Sequence, residues 1–131
     1  MNTLKFNDGY KELTINGDES RVIRFNPSDF GIMDRVKAAS EKLETMFDKD
    51  KKYTVEEAAA LDGAIRDIIN DVFASDVCTA AFGKVNCMSY AGGQPIFMNF
   101  IEAITPIIKD ACLEERKKSE KRVAKYTSQI K

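Results

Sequence analysis

Paired carboxylates are the first residues in this sequence that could carry chemistry. Asp67 and Asp71 are four positions apart, which places both on one face of a helix, as the ligands of a metal ion would be. Glu56 and Glu57 form a second acidic pair. Di-metal carboxylate bundles also require Glu-x-x-His motifs on facing helices, and the chain contains no histidine. The pattern therefore favours a solvated helix face, and we expect neither a metal ion nor another cofactor.

The absence of histidine also restricts catalysis. It removes the commonest general base, so hydrolases with Ser-His-Asp or Cys-His sites are excluded. The segment Gly92-Gly93-Gln94-Pro95 precedes a predicted helix, but it lacks the spacing and the lysine of a GxxxxGK[ST] phosphate loop. We interpret it as a flexible connection. No catalytic residue is predicted, and the composition favours a protein that holds a partner over an enzyme.

The cysteines indicate a reducing compartment. Cys78, Cys87 and Cys112 are odd in number, widely spaced and without a CxxC motif, so we expect small buried apolar side chains. The first residues lack the basic start and apolar run of a secretory signal, and no stretch approaches the ~18 apolar residues of a membrane span. These features predict a soluble, cytoplasmic protein without a membrane partner.

The charge is unevenly distributed along the 131 residues. Residues 114–131 carry seven basic and three acidic residues, a net charge of +4, which leaves −5 on the rest of the chain. The basic residues ahead of the last position are Arg116, Lys117, Lys118, Lys121, Arg122 and Lys125. We favour a solvated helical extension over a nucleic-acid site, because the aromatic and glycine-rich residues of RNA readers are missing.

The first thirty residues have the pattern of β-strands. Apolar side chains alternate on both sides of Asn16-Gly17, a pair that tolerates the positive φ of a tight hairpin turn. Leu4-Lys5-Phe6 repeats the pattern and is a candidate third strand. The core face is predicted to carry Leu13, Ile15, Ile23 and Phe25, and the opposite face Lys11, Thr14, Arg21 and Arg24.

The remaining residues have the pattern of about four helices, which gives an α+β fold with a long last helix. Asn26-Pro27-Ser28-Asp29 offers caps for the first helix, and Thr54 with Glu57 forms a capping box for the second. Asp76 is a candidate cap for a short helix that ends at Gly83. Pro106 predicts a kink or interruption near residues 102–106 of the last helix. We therefore predict one α+β domain over residues 1–113, with a β-hairpin region over 1–26 and helices over 27–113, followed by a basic helical extension or tail over 114–131.

Aromatic and methionine side chains are concentrated around residues 73–100. These residues are Phe73, Phe82, Met88, Tyr90, Phe97, Met98 and Phe100. One interpretation is an exposed apolar groove that receives a peptide or another subunit, and the other is core packing of the short helix against the last one. The sequence leaves both open.

The order of elements resembles a known family. A hairpin on Leu13-Thr14-Ile15-Asn16-Gly17, a capped helix that ends in Ile68-Ile69-Asn70-Asp71-Val72-Phe73, and a short Ala80-Ala81-Phe82-Gly83 element are similar to those of small tail assembly chaperones of long-tailed bacteriophages of Gram-positive bacteria. The resemblance covers about residues 12–113 and departs at Ala74-Ser75-Asp76, where the family usually has a glycine.

The resemblance implies a non-enzymatic protein of the bacterial host cytoplasm. Such chaperones bind the tape measure protein, keep its long hydrophobic helices soluble, and help to recruit tail tube subunits. On this hypothesis, we expect an apolar partner-binding surface formed by Met88, Tyr90, Phe97, Met98, Phe100 and Ile101.

Two other functions stay open at this point. A structural virion component, such as a tail completion or connector subunit, would pair its hairpin edge to edge in a homo-oligomeric ring. A small nucleic-acid-binding regulator would use the basic residues 114–131, and its binding would depend steeply on salt.

Overall fold

The chain forms two small antiparallel hairpins and four helices. A computed structural model describes residues 1–130, and the side chains of residues 1–127. The elements in chain order are β1 (Lys11–Ile15), β2 (Asp18–Phe25), α1 (Ile32–Met46), α2 (Val55–Phe73), α3 (Cys78–Phe82), β3 (Tyr90–Ala91), β4 (Gln94–Pro95) and α4 (Ile96–Ile130). This confirms the predicted α+β fold, with an N-terminal hairpin and a long C-terminal helix.

The first hairpin pairs β1 with β2 around the predicted turn. Asn16 and Gly17 both adopt positive φ, at 52° and 76°. Leu13 lies opposite Ile23, and the register shifts between Thr14 and Ile15, where a β-bulge interrupts the ladder. Ile23 and Phe25 are fully buried, whereas Leu13 and Ile15 are only partly buried.

Arg21 is an exception to the predicted orientation. Lys11, Thr14 and Arg24 are exposed as expected, but Arg21 is half-buried because it shares the face of Ile23 and Phe25. Its guanidinium donates to the carbonyl oxygens of Ala80 and Ala81, at 2.8 and 2.7 Å. These are carbonyls at the C-terminal end of α3, where a cation also meets the negative end of the helix dipole.

The candidate third strand does not form. Leu4 and Phe6 lie in an exposed segment without strand pairing. The chain is instead held at Asp8, whose carbonyl accepts a hydrogen bond from the Asn26 side chain at 3.2 Å. The guanidinium of Arg24 also lies 4.5 Å from the centre of the Tyr10 ring. These contacts tie residues 8–10 to the end of β2 and leave residues 4–6 without a strand partner.

The helices enclose the core on the other side of the hairpin. α1 packs between α2 and α4, and α3 packs against β2 and α2. The capping box of Thr54 and Glu57 is present at the start of α2. The predicted caps at residues 26–29 are wrong, because α1 begins only at Ile32, after Gly31, without a side-chain cap. Asn26 instead accepts hydrogen bonds from Ser28.

α4 is the longest element, with 35 residues, and it includes Pro106. The predicted interruption is absent, since the helix is continuous through the proline. The hydroxyl of Thr105 donates to the carbonyl of Ile101 at 2.6 Å. Within residues 1–130, no helix combines the length and the apolar character that crossing a membrane requires.

Cys78 and Cys87 are buried, as predicted, and Cys112 is half-buried. Burial raises the pKa of the Cys78 thiol to about 12. Burial, with a smaller contribution from Asp62, also raises the pKa of Cys87. Both thiols therefore stay protonated at neutral pH and behave as packing groups.

Asn70 connects α2 to α3 and provides a test of the fold. Its side-chain oxygen accepts hydrogen bonds from the backbone amides of Val77 and Cys78, at 2.8 and 3.1 Å. Asn70→Ala removes the acceptor for two amides at the start of α3, so we expect a loss of about 1–2 kcal/mol in the free energy of unfolding. Urea denaturation measures this loss. Asp71→Ala, at the exposed neighbouring position, is the control and should change stability by less than about 0.5 kcal/mol.

Candidate functional site

An open apolar groove lies between the first hairpin and α4. It has a volume of about 510 Å³, which is within the size range of ligand pockets. We call it the hairpin groove, and its main residues are Leu13, Ile15, Phe82, Phe100, Ile104 and Ile107. β1, α3 and α4 each contribute to it.

The groove exists because a two-stranded hairpin covers only part of the helical layer. β2 places Ile23 and Phe25 fully in the core. β1 has no strand partner on its other edge among the described residues, and its Leu13 and Ile15 are only partly covered. On the opposite side of the groove, 42% of Ile107 is exposed. Apolar side chains from two elements therefore face an opening that no part of residues 1–130 fills.

The lining of the hairpin groove is uncharged. Among the described residues its polar side chains are Thr14, Asn16 and Asn99. Asn99 is already engaged, since it donates to the Ala91 carbonyl at 2.9 Å and accepts from Gln94 at 2.6 Å. With no ionisable side chain in the lining, the groove can hold a ligand chiefly by removing apolar surface from water.

A second concavity, the α1–α4 pocket, lies on the other flank of α4. Its volume is about 650 Å³, and its main residues are Glu44, Phe47, Asp48, Asp50, Tyr90 and Met98. The Phe47 ring packs against the rings of Tyr53, Tyr90 and Phe97, with centroids 6.4, 6.2 and 5.9 Å away. The floor is thus aromatic, and the rim is acidic apart from Lys49.

The six predicted partner-binding residues do not form one surface. Phe97, Ile101 and Met88 are core residues, with 1%, 5% and 9% of their surface exposed. Only Tyr90 is largely exposed, at 55%. Met98 and Phe100 are half-buried and line different concavities, the α1–α4 pocket and the hairpin groove. The interpretation of Phe97, Ile101 and Met88 as an exposed binding surface is therefore wrong.

Helical geometry explains this separation. Phe97 and Ile101 are four positions apart and share the inward face of α4 with Ile104 and Ile108. Met98 and Phe100 are two positions apart, about 200° around the helix, so they point to opposite flanks. A charged residue at position 97 would be buried in the core and would unfold the protein, so partner binding has to be tested at more exposed positions.

The basic residues Arg116, Lys117, Lys118, Lys121, Arg122 and Lys125 are all exposed on the last part of α4. Arg116 pairs with Glu120, and Lys118 with Glu115, each at 3.8 Å. They are far along α4 from both concavities and line neither.

The acidic pairs, Glu56 with Glu57 and Asp67 with Asp71, belong to no cluster of metal ligands that the structure describes. In the described part of the chain, no group of three Cys, Asp or Glu side chains is placed to hold an ion.

Residues 85–87 are hydrogen-bonded to α2, and the predicted connection over residues 92–95 belongs to the β3–β4 hairpin. The Cys87 amide donates to Asp62 at 2.8 Å, and the Asn86 side chain donates to the Ala58 carbonyl at 3.0 Å. Arg66 binds Asp62 at 3.1 Å and the Val85 carbonyl at 2.7 Å. These anchors position the β3–β4 hairpin, which contributes Ala91 to the hairpin groove and Tyr90 to the α1–α4 pocket.

Sequence reasoning missed the contribution of the first hairpin to the groove. Leu13 and Ile15 lie on the predicted core face, but alternation does not reveal how completely the facing helices cover them. The prediction of a long last helix likewise does not show that Ile107 stays exposed beside the hairpin. The one sequence feature that indicates an incompletely covered helical layer is the small number of predicted strands, because a two-stranded sheet has little apolar area with which to cover helices.

Asp62 gives a pH-dependent test of the anchor at residues 85–87. Burial opposes its ionisation, but the hydrogen bonds from Cys87 and Arg66 outweigh this effect and hold the pKa below its usual 3.8. A depressed carboxyl pKa stabilises the fold above the unfolded-state pKa, and this stabilisation is lost as the pH falls through the folded-state pKa. Asp62→Asn should therefore cost about 1–2 kcal/mol at pH 7, with the difference from wild type shrinking below about pH 4.

Urea denaturation across this pH range measures the effect. Asp67→Asn, at an exposed position on the same helix, is the control. An Asp62→Asn penalty that is unchanged at low pH would contradict this role for the carboxylate.

Comparison with known proteins adds no relative to this description. No protein-family model, no curated protein and no solved structure matches the chain. The resemblance to tail assembly chaperones therefore depends on the sequence features alone, and the function has to be argued from the site.

Proposed function

We propose that this protein is a non-enzymatic chaperone of phage tail assembly that holds an amphipathic helix of the tape measure protein in the hairpin groove. The observation that carries the proposal is the open, uncharged groove built from β1, α3 and α4. The phage context comes from the sequence resemblance, and the mode of binding comes from the groove.

A groove of this kind suits the apolar face of a helix. An amphipathic helix presents apolar side chains at i, i+3, i+4 and i+7, and such a stripe can be laid along an apolar groove. Leu13 and Ile15 on one side, and Phe100 and Ile107 on the other, provide accessible apolar side chains. Burial of both surfaces would remove the partner's apolar stripe from water, which is what keeps a hydrophobic helix soluble.

The lining of the hairpin groove also suits reversible binding of the partner. Its lining offers no charge for a buried ion pair. Leu13, Ile15 and Phe100 are already half-buried, and Phe82 and Ile104 are buried. Binding then depends on apolar area alone, without a deep anchoring pocket, and this suits a chaperone that leaves the assembled product. Recruitment of tail tube subunits, which the resemblance also implies, has no assigned surface.

Ile107→Glu tests the groove directly. Ile107 is 42% exposed, so the fold should tolerate the change, but a carboxylate there would have to be buried beneath a bound helix. After co-expression with a tape measure fragment, we expect the variant to yield much less soluble complex than the wild type. Calorimetry should give a dissociation constant at least tenfold higher.

Val22→Glu is the matched control. Val22 is also 42% exposed, but it lies on the opposite face of the hairpin from Leu13 and Ile23. It should bind like the wild type. Equal binding by all three proteins, or no soluble complex with the wild type, would show that the hairpin groove is not the site of helix binding.

A further inference from the structure

The last part of α4 lies outside the core, with Asn7 of the N-terminal segment lining a shallow concavity together with Glu115, Lys118, Ser119, Arg122 and Val123. Every side chain described from Leu113 to residue 127 is exposed. Residues 114–130 alone span about 25 Å at 1.5 Å per residue. Isolated helices of this length are only marginally stable in water, and most helices in proteins are stabilised by packing. We call residues 114–130 the α4 extension.

The α4 extension combines unpaired cations with exposed apolar groups. Lys117, Lys121, Arg122 and Lys125 make no ion pair with another described side chain. Val123 and Tyr126, three positions apart on one face, are 62% and 67% exposed. Arg122 and Lys125 are adjacent to them in sequence. The extension thus carries a tyrosine and a valine flanked by positive charge.

The α1–α4 pocket has the complementary chemistry. Its floor contains the rings of Phe47, Tyr90 and Phe97, and Glu44, Asp48 and Asp50 are at its rim. Lys49 is the one cation in the lining. The next lysine, Lys51, is already paired with Glu57 at 3.0 Å. An apolar side chain accompanied by cations would meet aromatic surface below and net negative charge around it.

The extension cannot enter the pocket of its own chain. Phe97 of the pocket and Val123 of the extension belong to the same continuous helix. At 1.5 Å per residue they are about 39 Å apart. The complementary groups can meet only between two copies.

We propose that two copies of the chain associate reciprocally, with the α4 extension of each seated in the α1–α4 pocket of the other. Tyr126 enters the aromatic pocket, and Arg122 and Lys125 face Glu44, Asp48 and Asp50. Because pocket and extension lie at opposite ends of one helix, a twofold axis that passes beside α4 at the level of residue 110, perpendicular to the helix, places the two α4 helices antiparallel, brings both pairs together and closes the dimer. The net charges of +4 on residues 114–131 and −5 on the rest of the chain favour the same arrangement.

Charge reversal on the full chain tests this arrangement. In sedimentation equilibrium, we expect the wild type to form dimers that weaken as salt is added. Arg122→Glu with Lys125→Glu should weaken the dimer at least tenfold, and so should Glu44→Lys with Asp50→Lys. The protein that carries all four changes restores opposite charges between copies and should dimerise again. Asp67→Lys with Asp71→Lys, which makes the same charge change on exposed residues of α2, should dimerise like the wild type.

Each of the other outcomes overturns the proposal. A wild type that stays monomeric at its highest soluble concentration excludes the dimer. A dimer that survives both charge reversals forms elsewhere, and failure of the fourfold variant to recover excludes this pairing of residues. Circular dichroism confirms that each variant is folded. None of the changed residues lines the hairpin groove, so the result is independent of tape measure binding.

Discussion

Four phenylalanine rings hold the elements of this fold together. Phe25 of β2 meets Phe73 of α2 edge to face, with centroids 4.9 Å apart. Phe73 meets Phe100 of α4 at 6.0 Å, and Phe100 meets Phe82 of α3 at 5.7 Å. A two-stranded hairpin is marginal by itself, so the hairpin depends on this contact with the helices. Each edge-to-face pair adds about 0.5–1.5 kcal/mol beyond the area that it buries.

The same rings create the candidate site. Phe82 and Phe100 belong to the chain of aromatic contacts and also line the hairpin groove. The two strands of the first hairpin cover only part of the apolar surface around these rings. The apolar surface that remains is therefore a consequence of how the fold is built, and a partner helix would extend the core rather than occupy a separate pocket.

Local sequence rules predicted the elements that local contacts determine. The Asn16-Gly17 turn and the capping box of Thr54 with Glu57 depend on neighbouring residues, and both are present. The orientation of Arg21 and the anchoring of residues 85–87 to α2 depend on carbonyls and a carboxylate distant in sequence, so no periodicity could indicate them. For the same reason, the elements that form the candidate site could be predicted, but the opening between them could not. The sequence predicts a long last helix, but not which of its flanks the hairpin leaves open.

Methyl NMR of isoleucine-labelled protein shows directly whether a partner helix binds in the hairpin groove. Five isoleucines line the hairpin groove, namely Ile15, Ile23, Ile96, Ile104 and Ile107, whereas Ile65 and Ile69 are buried on α2 away from it. On titration with a tape measure helix, the five groove methyls should shift with a common midpoint while Ile65 and Ile69 stay in place. Saturable binding that shifts none of the groove methyls would show that the helix binds elsewhere on the protein.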